Sequence, residues 1–308
     1  MARRNGNALV RALCLLSAVM PLGACKGSGD ETAGASGGPR GAGAVTPSSA
    51  SSASASPSAP AAPALSAAAS AGPIAAPAPP DDKKLGFPSS ADCADAKKTA
   101  AGPATNQMEM NLHAAAKATL AACSMQTAFV TLRRSIAPGA AGALDATQTA
   151  WRAFSDEREH ERFPHAAEPG YYGSILDTCY GELDEATATA RTAELQALAR
   201  GCSDPASAAA QATQAAKTAD AALNEVYGKI RKGYAADPTF LKALTQAQVT
   251  WLKVRDAQVA LAGARSEDSA ACVQRELARV TGARLDQLRV WLKPATDGEA
   301  CGGSYGMP

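Results

Sequence analysis

Histidine, tryptophan and other aromatic residues are scarce in this chain of 308 residues, which has three histidines and three tryptophans. No P-loop or dinucleotide-binding glycine pattern follows a predicted strand. A hydrolase needs a nucleophile, a base and an oxyanion site in one place, and three histidines offer few ways to assemble them. No two cysteines have the C-x-x-C spacing of zinc or thiol-redox sites. The sequence therefore predicts no enzyme activity, no metal and no cofactor.

An excess of charge of either sign is also missing. The chain has 30 basic and 29 acidic side chains. Removal of residues 1–24 would take away three arginines, so that 27 basic side chains would remain beside 29 acidic ones. Nucleic-acid binding needs a concentrated basic surface. We therefore predict no nucleic-acid partner.

The one long apolar run lies at the N-terminus. Three arginines, Arg3, Arg4 and Arg11, precede the apolar residues 12–24. This run is too short to span a bilayer as a stable helix and resembles a secretory signal. The run ends in Leu22-Gly23-Ala24-Cys25, which resembles a lipobox, the site where bacterial signal peptidase leaves a lipid-modified cysteine. We predict a signal peptide over residues 1–24 and a lipidated (palmitate-bearing) Cys25 that anchors the chain to a membrane. The alternative is an ordinary secretory signal beside an unrelated cysteine.

Residues 26 to about 84 consist almost entirely of alanine, serine, proline and glycine. Leu65 and Ile74 are nearly the only large apolar side chains there, so this segment has too little apolar surface to form a core. We predict a flexible linker over residues 25–88 that separates the membrane from a folded part.

Six cysteines remain when Cys14 in the signal and the lipidated Cys25 are set aside. They are Cys93, Cys123, Cys179, Cys202, Cys272 and Cys301. An even number of cysteines in an exported protein indicates disulfides, here three. Our working pairing joins Cys93 to Cys179 and Cys202 to Cys272, one disulfide in each half, and leaves Cys123 and Cys301.

The rest of the chain has no sustained two-residue alternation, and its apolar residues recur at helical spacing, which predicts an all-α fold. Six helices are predicted, over Thr105 to about Ile136, about Ala143 to Phe163, about Ile175 to Ala199, Ser203 to about Gly233, Pro238 to about Ala262, and Ser266 to Lys293. Pro138-Gly139 and Gly263 are interpreted as helix stops, and Pro164 to Gly173 as a loop.

The second half of the folded part repeats the first. Three pairs of motifs match in the same order: Met125-Gln126-x-x-Phe129 with Leu223-Asn224-x-x-Tyr227, Gln148-x-x-Trp151 with Gln248-x-x-Trp251, and Cys179-x11-Arg191-x3-Leu195 with Cys272-x11-Arg284-x3-Leu288. We therefore predict two tandem three-helix units stapled by disulfides, over residues 89–201 and 202–294, and a tail over residues 295–308.

Three motifs of the second unit carry a family resemblance. They are Asp220-x-x-Leu223-Asn224-x-x-Tyr227, Gln248-x-x-Trp251-x-x-x-Arg255-Asp256 and Cys272-x11-Arg284-x3-Leu288. Together they resemble the LprI-type lipoproteins, a family named for a lysozyme inhibitor. The first unit resembles a diverged copy, with His113 where a cysteine is usual and Ser155 in place of the arginine. The resemblance covers roughly residues 93–293.

The motif residues have two interpretations. Tyr227, Trp251 and Arg255 would suit a recognition patch in which the arginine lies over an aromatic face. We favour a structural role, with Trp251 in the core and with Gln248 and Arg255 at its rim. Asn224 is expected to hydrogen-bond across to the helix that carries Gln248.

The charged run over residues 156–162, followed by His165, is a second ambiguous segment. His160-Glu161-x-x-x-His165 is not the H-E-x-x-H zinc motif, and Pro164 interrupts the helical spacing that would bring both histidines to one metal. We interpret the run as a solvated charged face.

The resemblance implies a protein partner, specifically a lysozyme whose cleft the protein would obstruct. Acidic side chains would suit a cationic lysozyme. The candidate contacts are Tyr171 and Tyr172, on the predicted loop, and Tyr305, in the tail. The alternative is a scaffold lipoprotein of the cell envelope that inhibits nothing.

The residue after Cys25 predicts the location. Lys26 stands in place of the aspartate that commonly retains lipoproteins at an inner membrane. In a cell with two membranes, this favours the outer membrane, with the protein facing the periplasm or the surface.

Overall fold

A computed structural model describes residues 85–202, 208–265, 269–293 and 301. Its helices are α1 (Ser90–Ala100), α2 (Gln107–Ser135), α3 (Pro138–Arg162), α4 (Leu176–Ala199), α5 (Ala209–Gly233), α6 (Pro238–Arg265) and α7 (Ser269–Arg289), with 3-10 turns at Gly173–Ile175 and Val290–Leu292. The described ranges contain no strand. The all-α prediction is therefore confirmed. The signal peptide, Cys25, most of the linker and Tyr305 lie outside the described residues.

Helix α1 is absent from the sequence prediction. Its N-terminus carries a capping box, in which the Ser89 hydroxyl accepts from the Asp92 amide and the Asp92 carboxylate accepts from the Ser89 amide. The short S-x-x-D pattern was the available signal. Leu85 and Phe87, which the sequence analysis places in the linker, are buried, and the Phe87 ring lies 5.2 Å from the Phe129 ring. The folded part thus begins before residue 89.

Several helix ends differ from their predicted positions. Helix α2 is capped by the Asn106 side chain, which accepts from the Glu109 amide, while Thr105 donates to the Glu109 carboxylate. Pro138 starts α3 instead of only ending α2, because proline fits the first turn of a helix, where no amide donor is needed. Gly263 does not stop α6, which continues to Arg265. The predicted starts at Ser203 and Ser266 lie outside the described residues.

The helices pack so that the two copies share one core. Helix α2 lies along α4, its counterpart α5 lies along α7, and the equivalent helices α3 and α6 lie along each other. The central cluster draws fully buried side chains from both copies, among them Phe129, Leu144, Leu195, Ile230, Leu244 and Leu288. Alanine-rich helices bury limited area in a small unit, so packing between the copies supplies area that one copy lacks.

Gly181 permits the closest approach between α2 and α4. A Cβ atom at this position would lie 2.5 Å from the carbonyl carbon of Ala114. Any larger residue would therefore push the two backbones apart. Beside this contact, Gln107 Nε2 donates to Thr178 Oγ1, which links the N-terminal ends of the two helices.

Three disulfides join the six cysteines. The pairs are Cys93–Cys123, Cys179–Cys301 and Cys202–Cys272. The prediction of Cys202 with Cys272 agrees with the structure, and that of Cys93 with Cys179 is wrong. Cys93 lies on α1, the helix that the sequence analysis missed, and α1 packs on α2, which carries Cys123.

None of the described helices combines the length and the apolar composition needed to cross a bilayer.

Candidate functional site

The repeated glutamine and arginine meet in each copy. The Arg191 Nε atom donates to Gln148 Oε1 at 3.3 Å, and the Arg284 Nε atom donates to Gln248 Oε1 at 3.1 Å. Both arginines are buried, with exposed fractions of 0% and 1%. The two motifs that match in sequence therefore form the same contact twice, once between α3 and α4 and once between α6 and α7.

The remaining partners of the two arginines differ. Arg191 donates to Thr147 Oγ1 and to Glu194 Oε2, both at 3.0 Å, and both acceptors lie in its own copy. Arg284 Nη1 donates to Gln287 Oε1 at 3.3 Å, at the position equivalent to Glu194, but its Nη2 donates to Glu161 Oε2 at 2.8 Å. Because Glu161 lies at the end of α3, this buried ion pair joins the second copy to the first.

The interpretation of residues 156–162 as a solvated charged face is wrong for Glu161, which is buried. Its exposed fraction is 3%, and its second oxygen, Oε1, accepts from Trp291 Nε1 at 3.1 Å. Glu161 continues the buried stripe of α3 that includes Trp151 and Phe154. Extending the helical spacing of that stripe through the charged run would have found it.

The other family-motif residues lie mainly in or around the core. Trp151 and Trp251 are both buried, and a guanidinium lies over each ring: Arg191 at 5.9 Å and Arg255 at 5.7 Å. Arg255 also donates to its neighbour Asp256, at 2.7 Å from Nη2.

The motif on α5 lies closer to the surface. Asn224 does not reach the helix of Gln248, as predicted, but donates to Asp220 Oδ2 one turn earlier on its own helix. The sequence pairing of Phe129 with Tyr227 is not matched in burial, because Phe129 is fully buried while Tyr227 is half-buried, with its hydroxyl 3.4 Å from Thr245 Oγ1. Leu223 is buried, as is its counterpart Met125.

The segment Pro164 to Gly173, here named the tyrosine loop, has an ordered backbone. Successive turns are closed by hydrogen bonds such as Glu168 N–H to the His165 carbonyl and Tyr171 N–H to the Glu168 carbonyl. Gly170 and Gly173 have φ angles of 77° and 65°, which glycine adopts without strain. The loop therefore holds its side chains in defined positions.

Of the two tyrosines in this loop, one faces solvent. Tyr171 is 50% exposed, and its ring stacks on His165 with centroids 4.5 Å apart. Tyr172 is half-buried, packs edge-on against Phe163 and accepts from the His165 amide at 3.4 Å. The structure thus brings together Tyr171 and Tyr172, and it makes Tyr171 the accessible member.

His165 connects the tyrosine loop to the second copy. Its Nδ1 lies 2.5 Å from Glu168 Oε1, and its Nε2 lies 2.9 Å from Asp237 Oδ2. Carboxylates are acceptors, so both contacts are hydrogen bonds only when both ring nitrogens carry protons. The hydrogen bond to Asp237 is the main reason that the pKa of His165 is raised above its usual value, and Glu168 adds to it. Asp237 Oδ1 also caps α6 through the Phe240 amide.

We expect Asp237→Asn to lower the pKa of His165 toward 6.5, because the amide removes the charge that favours the imidazolium. Asparagine remains a good helix cap, so α6 should be retained. NMR titration of the three imidazoles measures the shift.

The same contact predicts a pH dependence of stability. Since folding raises the pKa of His165, the stabilisation is complete below about pH 6.5 and is lost as the pH rises through the raised value. His165→Gln should remove this slope, whereas His160→Gln, at an exposed position, should keep it. A slope that persists in the His165→Gln chain would contradict the prediction.

Within the described ranges, no three histidine, cysteine, aspartate or glutamate side chains lie close enough together to hold a metal ion.

The fold and these contacts define a duplicated helical protein whose copies are joined by a buried ion pair and a shared core. A family model described as the lysozyme inhibitor LprI matches residues 94–195 and 202–288. The chain belongs to this family, which is one of inhibitor domains and not of enzymes, and it carries two copies in tandem. No curated protein and no solved structure matches the chain significantly.

Proposed function

We propose that this protein is an envelope lipoprotein that binds a lysozyme-type glycosidase and obstructs its cleft. The observation that carries the proposal is the family match over both copies. Lysozymes cleave glycosidic bonds with two carboxyl groups that flank the bond inside a cleft, so a protein surface that covers the cleft blocks the reaction.

The tyrosine loop is the surface we assign to this contact. Tyrosine residues often carry a large share of the binding energy in protein interfaces. Stacking on His165 holds the Tyr171 ring before the partner arrives, so that less side-chain entropy is lost on binding. The proposal therefore makes Tyr171 the principal contact, and Tyr172 a residue that supports the loop.

Charge supports the same surface. Residues 166–190, which include most of the loop and the first half of α4, contain five acidic residues and no lysine or arginine. Glu168, Asp177 and Glu182 are exposed. A negative surface attracts a cationic lysozyme and mainly increases the association rate.

We expect Tyr171→Ala to weaken inhibition at least about tenfold, as for truncation of a central interface tyrosine. The measurement is the clearance of a suspension of bacterial cell walls by purified lysozyme at increasing concentrations of the protein. Val249→Ala is the matched control, because Val249 is also an exposed apolar residue but lies on α6, twelve residues, or about 18 Å, beyond the helix cap Asp237.

Two outcomes separate the parts of this proposal. If the unaltered chain neither binds lysozyme nor slows clearance, inhibition is ruled out and the scaffold alternative stands. If the unaltered chain inhibits and Tyr171→Ala inhibits equally well, the function stands, but the tyrosine loop is not the contact surface.

Anchoring through Cys25 is the second part of the proposal and rests on the lipobox-like sequence at residues 22–25. We expect Cys25→Ala to release the protein from the membrane fraction, because no lipid is then attached. Fractionation after labelling with a palmitate analogue tests this, with Cys14→Ala as the control. A Cys25→Ala chain that stays labelled and membrane-bound would rule out this anchor.

A further inference from the structure

A cleft of about 520 Å³ lies between the end of α3, the first half of α4 and the end of α7. Its volume falls in the range of small-ligand sites. Partly exposed apolar side chains line one part of it, namely Ile175, Leu183 and Val290. Arg158 and Arg162 line another part. No residue of the tyrosine loop lines this cleft, although Glu182 belongs both to the cleft and to the acidic surface beside that loop.

The charges around this cleft are unbalanced. The guanidinium groups of Arg158, Arg162 and Arg284 influence one another here, and Glu161 is the buried carboxylate among them. Glu161 is already engaged by Arg284 and by the Trp291 indole. Glu182 also lines the cleft, but it is exposed, so that solvent and salt screen its charge.

Arg158 is the cation that this arrangement leaves without a directly bonded carboxylate, although the charge of Glu161 acts on it. Its Nη1 donates to the neutral Thr187 Oγ1 at 3.0 Å. Within the described part of the chain, no carboxylate forms an ion pair with it, and Nε and Nη2 have no hydrogen-bond partner. No fully buried side-chain nitrogen in that part lacks a partner, so these two nitrogens are accessible, and Arg158 is one of the residues that line the cleft.

Burial lowers the pKa of Arg158 to about 10; the charge of Glu161 opposes this shift, and the nearby Arg284 and Arg162 reinforce it. The group remains charged at neutral pH. A largely desolvated cation that no carboxylate contacts directly is unfavourable, and an anion that entered the cleft would relieve that cost.

The two open nitrogens form the side of the guanidinium that fits a planar pair of oxygens. Arg133 shows the same geometry elsewhere in this chain, where Nε lies 2.9 Å from Asp145 Oδ1 and Nη2 lies 3.1 Å from Asp145 Oδ2. Such bidentate pairs are stronger and more specific than single contacts.

We propose that the cleft binds a small organic oxyanion, whose carboxylate or phosphate oxygens pair with Arg158 Nε and Nη2 and whose apolar part lies against Ile175, Leu183 and Val290. The expected ligand therefore has an anionic group at one end, with at least two oxygens, and a compact apolar body. This site needs no protein partner, so it can be tested independently of lysozyme inhibition.

The test uses the purified full chain and three probes: benzoate, the neutral isostere benzamide, and phenyl phosphate. NMR signals of the Arg158 Nε–H and of the Trp291 indole N–H report binding beside the cleft. We expect saturable shifts with benzoate and at least tenfold weaker binding of benzamide. Tighter binding of phenyl phosphate than of benzoate would identify phosphate as the preferred group, and the reverse order would identify carboxylate.

Arg158→Gln should weaken benzoate binding at least tenfold, whereas Arg152→Gln, an exposed position on the same helix, should leave it unchanged. Arg158→Lys keeps the positive charge but cannot form a bidentate contact, so it should bind benzoate more weakly than the unaltered chain does. If Arg158→Gln does not fold, the comparison of benzoate with benzamide binding to the unaltered chain still tests whether the cleft selects an anion. Equal binding of these two probes, no saturable shift, or full binding by a folded Arg158→Gln chain would overturn the proposal.

Discussion

Glu161→Ala is expected to lower the free energy of unfolding by about 3–5 kcal/mol, the range for breaking one half of a buried ion pair. Arg284 would lose the Glu161 carboxylate at its Nη2 atom while remaining 1% exposed. The Trp291 indole N–H would lose its acceptor in the same step. Because Glu161 belongs to the first copy and Arg284 to the second, the loss would fall on the contact between copies. Urea-induced unfolding followed by circular dichroism measures it.

Asp156→Ala is the matched control for this experiment. Asp156 lies on the same helix and pairs with Arg152 at 3.7 Å, but both side chains are exposed, so its loss should cost less than about 1 kcal/mol. A similarly small effect of Glu161→Ala would mean that the buried pair contributes little to stability.

A double replacement tests the desolvation argument directly. The repeat places Leu261, which is fully buried, at the position of Glu161 in the second copy. Glu161→Leu together with Arg284→Met removes both charges, and we expect it to recover much of the stability lost in Glu161→Ala.

Replacing both Cys179 and Cys301 by alanine is expected to lower the free energy of unfolding by about 4 kcal/mol. The disulfide has a sequence separation of 122 residues, but the Cys202–Cys272 disulfide lies inside this span and shortens the closed loop of the unfolded chain to about 52 residues. Cys179 is buried, so the shorter alanine side chains would also leave a space in the folded state. Denaturant unfolding of the oxidised proteins measures the difference.

The pair Cys93–Cys123 provides the comparison because its sequence separation is only 30 residues. The same loop-entropy relation gives a loss of about 3.6 kcal/mol for its double alanine variant. We therefore expect Cys179→Ala with Cys301→Ala to be the more damaging replacement. The opposite order would show that loop length does not govern the stabilisation by these disulfides.

Local patterns in the sequence predicted most of the helices and the duplication. Apolar spacing, proline at helix starts and the absence of alternation depend on neighbouring residues, so they are visible without a fold. The repeated Gln148 and Gln248, with the repeated Arg191 and Arg284, also predicted equivalent sites. Their contact in each copy was not predicted, because residues on different helices meet only after packing.

Glu161 and the disulfides show where local patterns fail. A carboxylate in a run of charged residues has the same local sequence whether it faces solvent or a buried arginine 123 residues away. The partner of Cys93 likewise depended on α1, whose short sequence and weak apolar pattern concealed it. In the candidate site, proline and glycine predicted a loop that carries Tyr171. Only the fold brought Asp237 to His165 and so defined how that tyrosine is held.

The sequence by itself determined the helical class, the two copies, the supply of cysteines and the family, because each of these follows from residue types and their spacing along the chain. The tertiary structure alone decided which cysteines pair, which charges are buried and which tyrosine is exposed. These properties depend on distances between residues far apart in sequence, and those distances are set when α3 and α6 pack together and the two copies bury one core.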